Sequence, residues 1–183
     1  MEFRQAADQI LAELGGVLER VNPEPVARLL DAVASARRIY VAGEGRSGLV
    51  ARTFAMRLVH LGLTGYVCGE TITPAIEAGD LCIGCSGSGE TAITRHRADQ
   101  SRRAGAVVAA VVAAPGTSLG SQADIEVVLP APTKLSQEGR SRQFGATLFE
   151  QSLLLFLDAL VLQLQERRGA SPASMRAKHA NLE

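Results

Sequence analysis

Aromatic side chains are scarce in this sequence, 4 % of its 183 residues, too few for a surface on which nucleic-acid bases stack. Net charge is absent as well, since 19 lysines and arginines balance 19 aspartates and glutamates. A nucleic acid as main partner calls for a basic face, so both absences argue against that class. The chain also lacks an apolar stretch of the roughly 20 residues that a membrane span needs. The longest candidates are 106–115, which is too short, and 153–164, which Asp158 interrupts. The first residues hold no apolar run of the signal-peptide kind. Cysteine is sparse, three in number, and an odd count suits a reducing compartment better than a disulfide framework. The expectation is a cytoplasmic protein with neither membrane nor nucleic acid as partner.

What is present is enough for one well-filled domain. Hydrophobic residues make up 46 %, which excludes disorder of the chain as a whole. Phe3, Ala7, Ile10, Leu11, Leu14, Leu18 and Val21 recur at helical spacing. Asn22-Pro23 reads as a cap followed by proline at the first helical position, opening a second helix to about Ser35. Residues 1–36 are therefore expected as a helical arm ahead of the main fold.

From residue 37 strands and helices alternate. Strands are predicted at 38–42, 65–68, 81–85, 106–113 and 125–129. Helices follow the first strand to about Leu61 and the third to Ala104, and a short one precedes the fifth strand. A loop spans 70–79. The first, third and fourth strands are apolar almost throughout, as in a parallel sheet covered on both faces. The pattern predicts an α/β three-layer sandwich with crossover helices. Residues 130–143 read as a loop over the sheet edge, or a lid. Residues 144–168 form a long helix, apolar nearly all round over 153–164, which points to a subunit interface as well as a core. The tail 174–183 is expected to be helical and carries His179.

Open parallel sheets bind ligands beyond the carboxyl ends of their strands. Two glycine-rich turns lie there, Gly43-Glu44-Gly45-Arg46-Ser47-Gly48 after the first strand and Ser86-Gly87-Ser88-Gly89-Glu90-Thr91 after the third. Both lead into a helix, whose N-terminus offers unpaired N–H groups and a partial positive charge. Ser47, Ser86, Ser88 and Thr91 add four hydroxyls, with backbone amides at Gly87 and Gly89. That set describes a site for a phosphomonoester. In the plainer alternative these residues only cap their helices. A rival reading takes Gly43-x-Gly45-x-x-Gly48 as a dinucleotide fingerprint, with Glu70 as the ribose-binding acid. It leaves the second turn without a task.

Other groups weigh differently. Cys82-x-x-Cys85 has metal or redox spacing, but an offset of three in a strand turns the side chains to opposite faces, so both belong to the core. Ser47 lacks the glycine at position 49 that a nucleophile elbow requires. His96 stands on a polar helix face. His60 ends its helix, where a cation is favourable. Glu150 lies in the first turns of the long helix among Leu148, Phe149, Leu153 and Leu154. It reads equally as a complement to the helix dipole and as a general base whose pKa those apolar neighbours raise.

Five stretches together resemble the sugar isomerase (SIS) family and, within it, its 6-phospho-3-hexuloisomerase branch. They are Val41-Ala-Gly-Glu-Gly-Arg-Ser-Gly48, Gly69-Glu-Thr-Ile-Thr-Pro-Ala-Ile76 with Gly79-Asp-Leu81, Ser86 to Thr91, Thr147-Leu-Phe-Glu-Gln151, and the closing His179-Ala-Asn-Leu-Glu183. The resemblance implies a flavodoxin-like five-stranded parallel sheet over 37–168 and a homotetramer. It implies interconversion of 3-hexulose 6-phosphate and fructose 6-phosphate in formaldehyde fixation by the ribulose monophosphate route, with 3-hexulose-6-phosphate synthase as functional partner. It implies no metal, nicotinamide or other cofactor. Glu150 is then the base, and Ser47 with Ser86, Gly87, Ser88, Gly89, Glu90 and Thr91 binds the substrate. His179 is implied in ring opening or hydroxyl proton transfer, reaching a neighbouring subunit through the tail 169–183. Two departures stand out. Glu44 replaces a small residue, commonly alanine, and sets a carboxylate against the phosphate, while Gln143-Phe-Gly-Ala replaces a more usual Gln-Pro-x-Gly. Two alternatives stay open: another aldose–ketose phosphate isomerase of the family, and a non-catalytic sugar-phosphate sensor. A sensor usually carries an output domain, for which 183 residues leave no room.

Overall fold

The computed structural model describes residues 1–133 and 141–182. The chain begins with α1 (Phe3–Leu18) and α2 (Pro23–Ser35). Asn22 caps α2 by accepting a hydrogen bond from the Glu24 amide at 3.1 Å, with Pro23 where a missing N–H costs nothing. Five strands follow, β1 (Ile39–Gly43), β2 (Gly65–Val67), β3 (Leu81–Cys85), β4 (Val107–Val112) and β5 (Ile125–Val128). They pair in the order β2-β1-β3-β4-β5, all parallel, with Ile39 beside Leu81, Leu81 beside Val107 and Ala109 beside Ile125. The crossovers are α3 (Gly45–His60), α4 (Ala92–Arg103) and a single 3-10 turn (Gly120–Gln122); α5 (Thr147–Arg167) and α6 (Pro172–Arg176) close the chain. This is the doubly wound sheet that alternating strands and helices predict.

The two faces are unequally covered. Ile39, Val41, Ile83, Cys85, Val111 and Val127 meet α1, α2, α3 and α5 in one large core. Val108, Ala110 and Val112 meet Ala98 of α4 and Leu119 in a smaller one. Leu14, Val17, Leu29, Leu30 and Val33 of the N-terminal helices are buried in the large core, so the expected arm is packed into the main fold. Cys85 joins this core and Cys82 faces α4, on opposite faces as the strand period requires. Burial pushes the Cys85 thiol up to about 12.

Helix α5 starts later than expected, at Thr147 after a turn at 144–146, and only one of its apolar faces is buried within the chain. Phe149, Leu153, Leu157, Leu160 and Leu164 are buried, whereas Leu154, Leu155 and Leu162 are exposed. Its length and composition alone would let it cross a membrane, although the sequence run interrupted by Asp158 gave no such span. Half of it is buried inside the protein, as suits the core helix of a folded domain. The tail also departs from expectation, since α6 covers only Pro172–Arg176.

At the amino-terminal edge of the sheet, Asp80 is 1 % exposed and receives Arg38 Nη2 at 2.6 Å, Arg37 Nε at 3.2 Å and the Glu77 amide at 2.9 Å. Burial alone would raise its pKa, but these donors outweigh burial and hold the carboxyl at about 2. The clasp fixes the loop before β3 far from the ligand end.

Candidate active site

Strands β1 and β3 are neighbours, and the chain turns to opposite sides after them, so both glycine turns sit at the switch point of the sheet. The first turn is tight because a side chain on Gly48 would stand 2.5 Å from the Gly43 carbonyl oxygen, and Gly45 takes a φ of 58°. In the second, Gly87 lies on the Phe149 ring, which would be 3.0 Å from an added Cβ. That contact ties the turn to α5.

Between the turns and α5 lies a cleft of about 370 Å³. The second turn contributes Ser86, Gly87, Ser88, Glu90 and Thr91, the first Glu44 and Ser47, and α5 Glu150 with Ala146 just before it. Thr133 completes the wall. Thr91 holds the N-cap position of α4, yet its side chain makes no capping bond. Its Oγ1 instead lies 3.0 Å from Ser86 Oγ, which also accepts from the Gly89 amide at 3.1 Å. Ser88 Oγ accepts from the Glu90 amide at 3.2 Å. These hydroxyls therefore shape the turn and edge the cleft, and they do not simply cap the helix. Gly89, named as a ligand from sequence, takes a φ of 65° against Thr117; it shapes the turn and is not among the lining residues.

Glu90 lines the cleft, but its carboxylate is engaged elsewhere. Oε1 accepts from the Ser118 amide at 2.8 Å and Oε2 meets Arg95 at 3.3 Å. The Ser118 bonds, with a lesser contribution from Arg95, lower its pKa against burial. It positions the second turn against the loop after β4.

Glu150 faces the cleft with its side chain 16 % exposed, and Arg46 Nε stands 2.8 Å from Oε2. Leu148, Phe149 and Leu153 turn into the core instead. The apolar neighbours therefore do not enclose the carboxyl, and a guanidinium meets its cleft side. Sequence reasoning passed over Arg46, although it stands inside the first turn. It also passed over Arg97 of α4, whose Nη1 lies 2.6 Å from Glu44 Oε1, because 53 residues separate the two.

His179 is not at this cleft. Its ring stacks on His60, with centroids 4.9 Å apart and planes at 19°, at the far end of α3. Ser47 and His60 are thirteen positions apart on α3, a rise of about 20 Å. Burial, then His179 and Arg57, lower the His60 pKa. Glu70, the ribose acid of the rival reading, is paired with Arg52. The expected lid at 130–143 lies partly outside the described residues, namely 134–140. After that gap Ser141 Oγ, the Arg142 amide and Gln143 Nε2 bind the Glu13 carboxylate of α1 at 2.6, 3.2 and 3.2 Å, anchoring the approach to α5. His96 is exposed. Among the described residues no group of three His, Cys, Asp or Glu is placed to hold a metal ion.

Fold and cleft together define a doubly wound α/β protein of the kind that binds small phosphate esters at the switch point. The family model of the SIS domain matches residues 32–162, and the chain belongs to that family. It is 40 % identical to the 3-hexulose-6-phosphate isomerase of Bacillus subtilis (strain 168) over the full length of both chains. It is 41 % identical to that of Mycobacterium gastri, over 93 % of this chain and 86 % of the relative. A Methanococcus jannaschii protein, whose crystal structure infers a molecular function of 3-hexulose-6-phosphate isomerase, superposes with a TM-score of 0.84 at 29 % identity, covering 98 % of this chain and 99 % of that one. With these relatives the chain is an enzyme of the sugar-phosphate isomerase class.

Proposed function

We propose that the protein interconverts 3-hexulose 6-phosphate (D-arabino-hex-3-ulose 6-phosphate) and fructose 6-phosphate. The observation that carries this is the placement of one carboxylate, Glu150, and the Ser86–Thr91 cradle on the walls of a single cleft. The phosphate is the handle. Hydroxyls of Ser86, Ser88 and Thr91, with the amides of the second turn at the start of α4, receive it, and Ser47 contacts the substrate from the first turn. Its binding energy holds the reacting carbons against the base without taking part in the reaction.

Glu150 then removes the proton from carbon 2 of the 3-ulose. The C–H electrons form the C2–C3 double bond and the oxygen on carbon 3 takes up a proton, giving the 2,3-enediol. In the second half the hydroxyl on carbon 2 loses its proton and becomes the carbonyl. Glu150 returns its proton to carbon 3, which completes fructose 6-phosphate. Hydrogen is only relocated, so the chemistry draws on no cofactor.

The reading extends to assembly and setting. The exposed Leu154, Leu155 and Leu162 of α5 favour association of copies, and we place the enzyme in a homotetramer. His179, about 20 Å from its own cleft, serves the site of a neighbouring subunit there, in ring opening or hydroxyl proton transfer. The three cysteines are free, which suits the cytoplasm. A 3-hexulose-6-phosphate synthase supplies the substrate in formaldehyde fixation by the ribulose monophosphate route.

Proton NMR of fructose 6-phosphate in heavy water tests the chemistry. Deuterium is expected at carbon 3, and the Glu150→Gln protein should not introduce it. Deuterium at carbon 1 would instead reveal a 1,2-enediol and an aldose–ketose isomerase. No exchange at either carbon and no conversion of the ester, with the ester bound, would mark a sensor.

A further inference from the structure

The cleft is walled by three carboxylates, and each is matched by one guanidinium. Glu44 meets Arg97 at 2.6 Å, Glu90 meets Arg95 at 3.3 Å and Glu150 meets Arg46 at 2.8 Å. Of these, Glu44 stands in the first glycine turn, between Gly43 and Gly45. It occupies the N-cap position of α3 but makes no capping bond; its carboxylate reaches sideways to α4. Arg97 is itself fixed, because its guanidinium lies on Gly69, where an added Cβ would stand 2.6 Å from Nη2.

Beyond this pair is a second, polar chamber of about 90 Å³, reached by Arg97, Arg52, Cys68 and Gly69. Glu44 borders both spaces. The sheet order β2-β1-β3 puts the chamber on the β2 side of Glu44, away from the Ser86–Thr91 cradle on β3. Glu44 and Arg97 thus stand between the cleft and the chamber, on the side away from the Ser86–Thr91 cradle.

We propose that Glu44, held by Arg97, is a specificity-determining residue that closes the cleft at its β2 side and keeps Arg97 from acting as a second anion site, so that the enzyme accepts sugar monophosphates and rejects sugar bisphosphates. This rests on the reading of the cradle as the phosphate site. A substrate anchored by one phosphate on the β3 side extends its other end toward Glu44. A hydroxyl there finds a carboxylate acceptor. A second phosphate finds like charge, with the nearest guanidinium already taken. Replacing Glu44 by alanine joins the chamber to the cleft and leaves Arg97 unpaired at its mouth.

Titration calorimetry with fructose 6-phosphate and fructose 1,6-bisphosphate decides this. The unaltered protein should bind the monophosphate at least about tenfold more tightly, a difference of roughly 1.4 kcal/mol. Glu44→Ala should bring the bisphosphate up by about tenfold, and Arg97→Ala added to it should abolish that gain. Glu44→Gln, which keeps the size of the wall, should give part of the gain and decides the matter if the alanine variant does not fold. Unchanged selectivity in folded Glu44→Ala, or equal binding of both esters by the unaltered protein, would overturn the proposal and leave the cradle standing. Failure of the unaltered protein to bind fructose 6-phosphate would remove the cradle reading and the proposal with it.

Discussion

The two glycine turns look alike in sequence, and each leads from a buried strand into a helix. In three dimensions they work differently. The second is held largely by its own hydroxyls and amides, with Ser86 bonded to Thr91 and Gly89 and Ser88 to Glu90. The first sends its charged side chains away, Arg46 to Glu150 and Glu44 to Arg97. One turn is closed on itself, with its hydroxyls along the edge of the cleft. The other is a junction that links the cleft to α4 and α5. Glycine spacing marks where a backbone bends tightly, and the intervening side chains decide what the bend is for.

Several changes would break or sharpen that contrast. The largest effect is expected at the carboxylate the first turn supports: Glu150→Gln should lower kcat by about 10²–10⁴-fold while KM for the phosphate ester stays nearly constant. Steady-state kinetics on fructose 6-phosphate shows this, and an unchanged kcat removes Glu150 from the mechanism. Next comes Gly48→Ala. Its new methyl meets backbone, 2.5 Å from the Gly43 oxygen, which cannot rotate aside, so urea unfolding should show a loss of about 1–3 kcal/mol. Gly87→Ala meets only the Phe149 ring at 3.0 Å and should cost less; the reverse order would mean that the second turn is the stiffer one.

Ser88→Ala with Thr91→Ala should raise KM about tenfold, the equivalent of some 1.4 kcal/mol, and spare kcat, since the handle does not react. A fall in kcat alone would place these hydroxyls at the reacting carbons instead. The smallest effect concerns acid. Glu90 has a lowered folded pKa, so its bonds stabilise the second turn above the ordinary value of 4.5 and fade as pH falls through the lowered one. The melting temperature of Glu90→Gln should therefore lie below that of the unaltered protein near pH 7, and the gap should shrink below about pH 4.5. Asp80, held at about 2, stays charged over that range and keeps the opposite edge clasped. A gap that does not narrow would mean that Glu90 acts through shape and not through charge.

Much of this was legible in the sequence because the periods that bury side chains are local. The five strands, the Asn22-Pro23 start of α2 and the placing of both turns at strand ends follow from alternation and turn chemistry. The joining of α1 and α2 to the core was not legible, since an apolar stripe does not say which surface it will cover.

The residues by themselves determined the doubly wound class, the hydroxyl-rich cradle and Glu150 as the carboxylate to watch, because composition and spacing act over a few residues. Only the tertiary structure decided which charges meet. It set Arg46 on Glu150 and Arg97 on Glu44, and it put His179 on His60 at the far end of α3. Ion pairs and ring stacks form between side chains brought within a few ångströms by the packing of helices on the sheet, and distance along the chain carries no record of that approach.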